Sequence, residues 1–69
     1  MTRGSDRTRR RRLRELDEER ESGLRDLGGL ALEMSQRDEL DPDLLRRHAA
    51  RLAIIEQDIE ELRAKLGEE

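Results

Sequence analysis

A heptad pattern of apolar residues constrains this chain more than any other feature of its sequence. In the second half, aliphatic residues recur in alternating steps of three and four, with His48 as the one exception. The first half carries a similar series, interrupted by Arg20 and Gly23. This spacing places side chains on one face of a helix. The pattern predicts two helices that pack along a seam, formed by Leu13, Leu16, Arg20, Gly23, Leu27, Leu30 and Met34 with Leu45, His48, Leu52, Ile55, Ile59, Leu62 and Leu66.

A local helix-start signal separates the two series. Asp41 can cap exposed backbone amides, and Pro42 suits a first helical position because its missing N–H would have no partner there. Leu40 and Leu45 have the spacing of a hydrophobic staple around this cap. We therefore predict a disordered basic arm, a first helix, a turn, a second helix and an acidic tail at residues 1–7, 8–38, 39–41, 42–66 and 67–69.

Two seams of equal length joined by so short a turn predict an all-α, antiparallel two-helix coiled-coil hairpin. In the simplest register, Leu27 lies opposite Leu52. The arginines of residues 9–14 then come beside the acidic end of the second helix, which carries Glu60, Glu61, Glu68 and Glu69. Arg20 comes near Glu56 and Glu60 in the same register.

The composition indicates that one hairpin needs further stabilisation. Only 32% of the 69 residues are hydrophobic, and short chains bury little apolar surface. Disulfides are excluded because there is no cysteine, and a single histidine argues against a metal site. We predict no metal and no cofactor. His48 is interpreted as a packed residue, although a symmetric dimer that joins two copies leaves a metal or pH-sensitive role open.

Small residues suggest where a second chain would bind. Gly28, Ala31 and Leu24 form a stripe beside the first seam, and Ala49 and Ala53 form one beside the second. We predict that this surface packs against its copy in a homodimeric four-helix bundle. The alternative is that Gly28 and Gly29 break the first helix and leave a three-helix monomer. The residues predicted for packing and self-association are Leu24, Leu27, Gly28, Leu30, Ala31, Ala49, Leu52, Ala53 and Ile55.

The charge is distributed unevenly along the chain. Residues 1–14 contain seven arginines and one aspartate, a balance of +6, whereas the whole chain carries −3. Clustered arginine favours phosphate binding, but there is no aromatic residue on which bases could stack. Nucleic-acid binding is therefore the alternative function, with possible phosphate contacts from Arg7, Arg9, Arg10, Arg11, Arg12 and Arg14.

Other classes of protein find no support in the sequence. The carboxylates lack a concave apolar pocket in which one could act as a general acid or base, so we predict no catalytic residues and no enzyme. No apolar run is long enough to cross a membrane, and the absence of cysteine fits a cytoplasmic protein.

The ten-residue run Arg25-Asp26-Leu27-Gly28-Gly29-Leu30-Ala31-Leu32-Glu33-Met34, followed by a charged stretch and a second heptad helix, resembles the N-terminal coiled-coil segment of uncharacterised actinobacterial zinc-ribbon proteins. The resemblance covers roughly residues 13–66. It does not extend to the ribbon, because the chain has no cysteines. It implies an interaction module of unknown target. The sequence thus favours a non-enzymatic, self-associating scaffolding module, or a helix pair that completes a bundle with another protein.

Overall fold

The chain folds into a hairpin of two helices, described by a computed structural model for residues 2–67, with side chains described for residues 6–67. Helix α1 spans Thr2–Arg37 and helix α2 spans Pro42–Gly67. The helices pack against each other, and the described part of the chain contains no strand. The resulting rod measures 54 × 15 × 14 Å. The predicted all-helical, two-helix hairpin is confirmed.

The seam supplies the interior of the hairpin. Every seam position is buried or half-buried in the structure. The four most buried apolar side chains are Leu16, Met34, Leu52 and Ile59, which are 2%, 8%, 7% and 4% exposed. Outside the seam, the described residues that are half-buried are Asp6, Arg9, Asp17 and Leu44. Burial therefore follows the three-and-four spacing of the sequence.

A glycine-type cap made by an aspartate ends α1. Asp38 has a positive φ of 58°, in the left-handed region. Its N–H donates to the carbonyl oxygen of Ser35 at 3.2 Å, and the N–H of Glu39 donates to that of Met34 at 2.9 Å. These two bonds are those of a Schellman motif, which satisfies carbonyls that the helix end leaves open.

The predicted cap of α2 is present. The N–H of Leu44 donates to Asp41 Oδ1 at 3.2 Å, which is the bond that an N-cap carboxylate makes to the third helical residue. The predicted staple is weak, because Leu40 is 74% exposed.

The helix limits differ from the prediction at both ends of the chain. Residues 2–7, predicted to be disordered, belong to α1. Arginine is a good helix former, and Arg9 Nη1 lies 3.4 Å from Asp6 Oδ1, one turn away. Helix α1 ends at residue 37 and α2 extends through Gly67. Met1 and the tail residues 68–69 lie outside the described residues.

The glycine pair does not interrupt α1. The helix is continuous through Gly28 and Gly29, so the predicted alternative of a three-helix monomer is wrong. Neither residue has a positive φ. Their flanking residues Leu27 and Leu30 are held half-buried at the seam, which keeps this stretch helical despite the cost of glycine.

The register of the two helices differs from the predicted one by about one turn. Leu52 packs directly against Gly23, four residues before the expected Leu27. The ion pair between Arg20 Nε and Glu56 Oε2, at 3.0 Å, fits the same register and confirms the predicted proximity of those two residues. Leu16 and Ile59 each lie seven residues from the Gly23–Leu52 contact, so the two most buried side chains share one level.

This register leaves α1 longer than its partner. Gly67 lies fifteen residues beyond Leu52. It is therefore level with residue 8 of α1, which lies fifteen residues before Gly23. Residues 2–7 therefore extend past the described end of α2 as a single helix, about 9 Å long at 1.5 Å per residue. The basic start of the chain projects from the hairpin.

Candidate interaction surfaces

The interior glycines of α1 fall into two different environments. A Cβ on Gly23 would lie 2.8 Å from Leu52 Cδ2 and 3.3 Å from Leu52 Cγ, so this glycine makes room for a leucine of the other helix. A Cβ on Gly28 or on Gly29 would meet nothing within 4 Å. The close approach of α2 accounts for Gly23 alone. Packing within this chain does not account for the other two.

One side of the hairpin collects the predicted small residues. In an antiparallel pair, the residue that follows a seam residue turns to the same side on both helices. Leu24, Gly28 and Ala31 occupy such positions on α1, and Ala49 and Ala53 occupy them on α2. All five are exposed, with Leu24 at 43%. We call these five residues the small-residue face.

The observed register changes the arrangement of this face. Ala49 and Ala53 lie level with residues 26 and 22 of α1, on either side of Leu24. Gly28 and Ala31 continue the face toward the turn. The remaining residues predicted for self-association, Leu27, Leu30, Leu52 and Ile55, lie in the seam and are buried or half-buried against the other helix.

The other exposed large apolar side chains lie elsewhere. Ile54 precedes a seam residue and therefore turns to the opposite side of the hairpin. Leu32 points away from α2, and Leu40 belongs to the turn. Their exposed fractions are 61%, 59% and 74%. Of the exposed leucines and isoleucines, Leu24 alone belongs to the small-residue face.

The hairpin exposes more surface than a compact chain of its size. Its accessible area is 5660 Å², whereas a folded monomer of 8.1 kDa exposes about 4,500 Å². Its radius of gyration is 15.9 Å, against about 11 Å for a compact domain of this length. The difference in area exceeds the roughly 800 Å² that each partner buries in a standard interface.

The predicted phosphate-binding arginines divide into two groups. Arg9 pairs with Asp6, and Arg12 Nη1 lies 3.3 Å from Glu15 Oε1 and 3.6 Å from Glu19 Oε2. None of these arginines forms an ion pair with Glu60 or Glu61, although the register puts residues 61 and 60 level with residues 14 and 15. Glu68 and Glu69 lie outside the described residues. Of the six predicted arginines, Arg7, Arg10, Arg11 and Arg14 are exposed and form no ion pair with a described carboxylate.

Three of these free arginines lie on the same side of α1 as the small-residue face. Arg7, Arg10 and Arg14 each follow a position on the seam or on its continuation through half-buried Asp6 and Arg9. We call these three residues the arginine stripe. Arg11 points away from the hairpin. The sequence does not separate the six arginines, since unpaired ones such as Arg10, Arg11 and Arg14 also have a carboxylate one turn away.

The turn lies at the end of the rod opposite to the arginine-rich start of α1, and it is acidic. Asp38, Glu39 and Asp41 are exposed and form no ion pair with a described cation. The nearest arginines are engaged locally: Arg37 Nη2 lies 3.3 Å from Glu33 Oε2, and Arg46 Nη1 lies 2.7 Å from Asp43 Oδ1. The carboxylates of Asp38 and Glu39 therefore have no described cation partner, whereas that of Asp41 accepts the Leu44 N–H at the start of α2.

Charged side chains line part of the groove between the helices. One stretch is lined by Asp17, Arg20, Glu56, Glu60 and Arg63, together with Ile59 and Ala53. His48 is half-buried in the seam and borders another stretch with Gly23, Leu52 and Ile55. Among the described residues, no three His, Cys, Asp or Glu side chains are grouped so that they could hold a metal. Neither described helix is long and apolar enough to span a bilayer.

Comparison with known proteins adds no relative. No family model matches the chain, and neither a curated protein nor a solved structure matches it. The resemblance to the coiled-coil segment of actinobacterial zinc-ribbon proteins stays a prediction.

Proposed function

We propose that this chain is a non-enzymatic interaction module of the cytoplasm that self-associates through the small-residue face into a four-helix bundle. One observation carries the proposal: Gly28 lies in the middle of a helix with open space beside it, on an exposed face of alanine and leucine. A glycine inside a helix costs about 1 kcal/mol relative to alanine. A second backbone that approaches this face closely would offset that cost.

The small interior supports the same proposal. Only four apolar side chains among the described residues are buried, and chains of this size rarely gain more than about 3–5 kcal/mol from one core. An interface on the small-residue face would cover Leu24 and extend the apolar interior to a second chain. Packing of a second hairpin would also reduce the excess surface of the elongated rod.

The test compares two neighbouring glycines by sedimentation equilibrium. We expect Gly28→Leu to weaken dimerisation at least tenfold, because a leucine would hold the partner backbone away. Gly29→Leu is the matched control, since Gly29 has equally open space but lies outside the small-residue face. A wild-type chain that stays monomeric at high micromolar concentration would refute self-association, as would equal behaviour of the two variants.

The free arginines favour phosphate binding as a second candidate function. Arg7, Arg10, Arg11 and Arg14 carry no described counter-ion, and the start of their helix projects beyond α2. Such a cluster attracts nucleic acid through its phosphates regardless of sequence. Deletion of residues 1–12 should abolish salt-sensitive binding to a fluorescent duplex at 50 mM salt and leave dimerisation largely intact. If the intact chain shows no such binding, this second function fails.

A further inference from the structure

Cationic side chains at the arginine-rich end of the rod come from both helices. Arg63 of α2 lies eleven residues beyond Leu52 and is therefore level with residue 12 of α1, between Arg10 and Arg14. It is exposed and forms no ion pair with a described carboxylate. Folding of the hairpin brings this arginine, from the other half of the chain, to the level of the arginine stripe.

Arg63 also turns to the side of the hairpin that carries the arginine stripe. It follows the seam residue Leu62, just as each stripe residue follows a position on the seam or on its continuation. It lines the groove on this side together with Ala53 of the small-residue face and Asp17, which follows Leu16. The stripe and Arg63 therefore lie on one side, across the groove from each other. We call these four residues the two-helix arginine patch.

We infer, on the basis of the phosphate binding proposed above as the second candidate function, that the two-helix arginine patch binds the backbone of a nucleic-acid duplex and that Arg63 supplies a contact from α2. The stripe extends over seven residues from Arg7 to Arg14, or about 10 Å, which matches about three phosphates of one strand at about 3.4 Å each. Packed helix axes lie about 8–10 Å apart, so the long side chains of both helices can contact neighbouring phosphates.

Carboxylates limit the patch on the side toward the turn. Glu60 follows the seam residue Ile59, so it turns to the same side, and it is level with residue 15. Asp17, half-buried on that side of α1, lies just beyond Arg14. Their negative charge repels phosphate, so the duplex crosses the rod at its arginine-rich end and does not follow it. The small-residue face, at the level of residues 22–31, stays available to a second hairpin.

The patch offers contacts to phosphates and none to bases. The chain has no aromatic residue for stacking, and the hairpin, 15 × 14 Å in cross-section, is wider than a major groove of about 12 Å. Binding is therefore independent of sequence. A membrane surface fits less well, because helices that lie on bilayers insert large apolar side chains. The exposed ones among the described residues lie away from this end: Leu24, Leu32, Leu40 and Ile54.

Substitution of Arg63 tests the contribution of α2, with a fluorescent duplex at 50 mM salt and anisotropy as the readout. Arg63→Gln should weaken binding about fivefold or more and reduce the slope of log K against log salt by about 0.9, the value for one phosphate contact. Arg63→Lys keeps the charge and should retain most of the affinity. Arg51→Gln is the matched control, because Arg51 is exposed on the same helix, precedes a seam residue and so turns to the opposite side. It should weaken binding about twofold or less.

Removal of the limiting carboxylate should have the opposite effect. Glu60→Gln should tighten duplex binding about threefold, because it removes a negative charge beside the patch. Glu61→Gln changes the net charge equally but precedes the seam residue Leu62, on the opposite side, and should tighten binding less. Equal tightening by both variants would contradict the limit set by Glu60.

The outcomes separate this inference from the phosphate binding on which it rests. If deletion of residues 1–12 abolishes duplex binding while Arg63→Gln and Arg51→Gln weaken it equally, the patch on α2 is overturned and binding by α1 stands. If the intact chain does not bind the duplex at 50 mM salt, both fail, and binding to phosphatidylserine vesicles without the duplex has the same meaning. Circular dichroism should show equal helicity in the wild type and in both arginine variants.

Discussion

Leu52 of α2 fills the space left by the missing side chain of Gly23 on α1, with its Cδ2 atom 2.8 Å from where a Cβ would be. We expect Gly23→Ala to be less stable than Gly29→Ala by about 1 kcal/mol or more. Both gain about 1 kcal/mol of helix propensity, but only the first crowds a buried leucine. Urea unfolding followed by circular dichroism, at one protein concentration, measures the difference. An equal increase in the free energy of unfolding in both variants would show that Leu52 can move to accommodate a Cβ at residue 23.

The left-handed residue after α1 offers a stabilising substitution. Asp38 has a φ of 58° and places a negative charge at a helix C-terminus, where the dipole disfavours it. Asp38→Gly should therefore raise the free energy of unfolding by about 1 kcal/mol. Asp38→Ala is the control and should lower it, since alanine tolerates this region less well than aspartate. A more stable alanine variant would contradict the Schellman geometry.

Asp41 should contribute through its cap of α2. Asp41→Ala removes the acceptor of the Leu44 N–H and should cost about 1 kcal/mol, within a range of about 0.5–2 kcal/mol. Asp41→Asn keeps a side-chain oxygen in the same place and should cost much less. Thermal unfolding of the three proteins provides the comparison. Equal loss in both variants would point to the charge of Asp41 rather than its hydrogen bond.

Arg20 occupies a seam position, which is usually apolar in a heptad pattern. Its ion pair with Glu56 is well exposed, with side-chain exposures of 41% and 52%, and pairs of this kind contribute about 0–1 kcal/mol. Arg20→Leu should stabilise the hairpin by about 1 kcal/mol, because apolar burial replaces a weak pair. Glu56→Gln alone should change stability by less than about 1 kcal/mol. A destabilised leucine variant would mean that the ion pair contributes more than exposed pairs do.

The seam was predictable, but the register was not. Burial follows the helical period, so each residue from Leu13 to Leu66 that keeps the spacing turns inward. A shift of one turn brings seam residues opposite seam residues again, and both registers bury nearly the same side chains. The sequence alone showed Gly23 as a defect; only the structure shows that Leu52 occupies it.

Local signals differed in how clearly they could be read. The cap at Asp41 was predicted because aspartate before proline has a known role at helix starts. The left-handed conformation of Asp38 was missed, since glycine is the usual sign of it. The helix over residues 2–7 was missed because a basic stretch at the start of a chain is typical of a disordered arm. Because α1 is helical from Thr2 onward, the structure defines the side of the helix on which each of these arginines lies.

The unequal lengths of α1 and α2 give the molecule a blunt end and an open end. At the turn, hydrogen bonds around Asp38 and Asp41 pair backbone groups of the last turn of α1 and the first turn of α2. At the other end, α1 continues for six residues beyond the level of Gly67, with no described residue of α2 beside them. A further helix that packed against residues 2–7 would therefore contact one described helix rather than two.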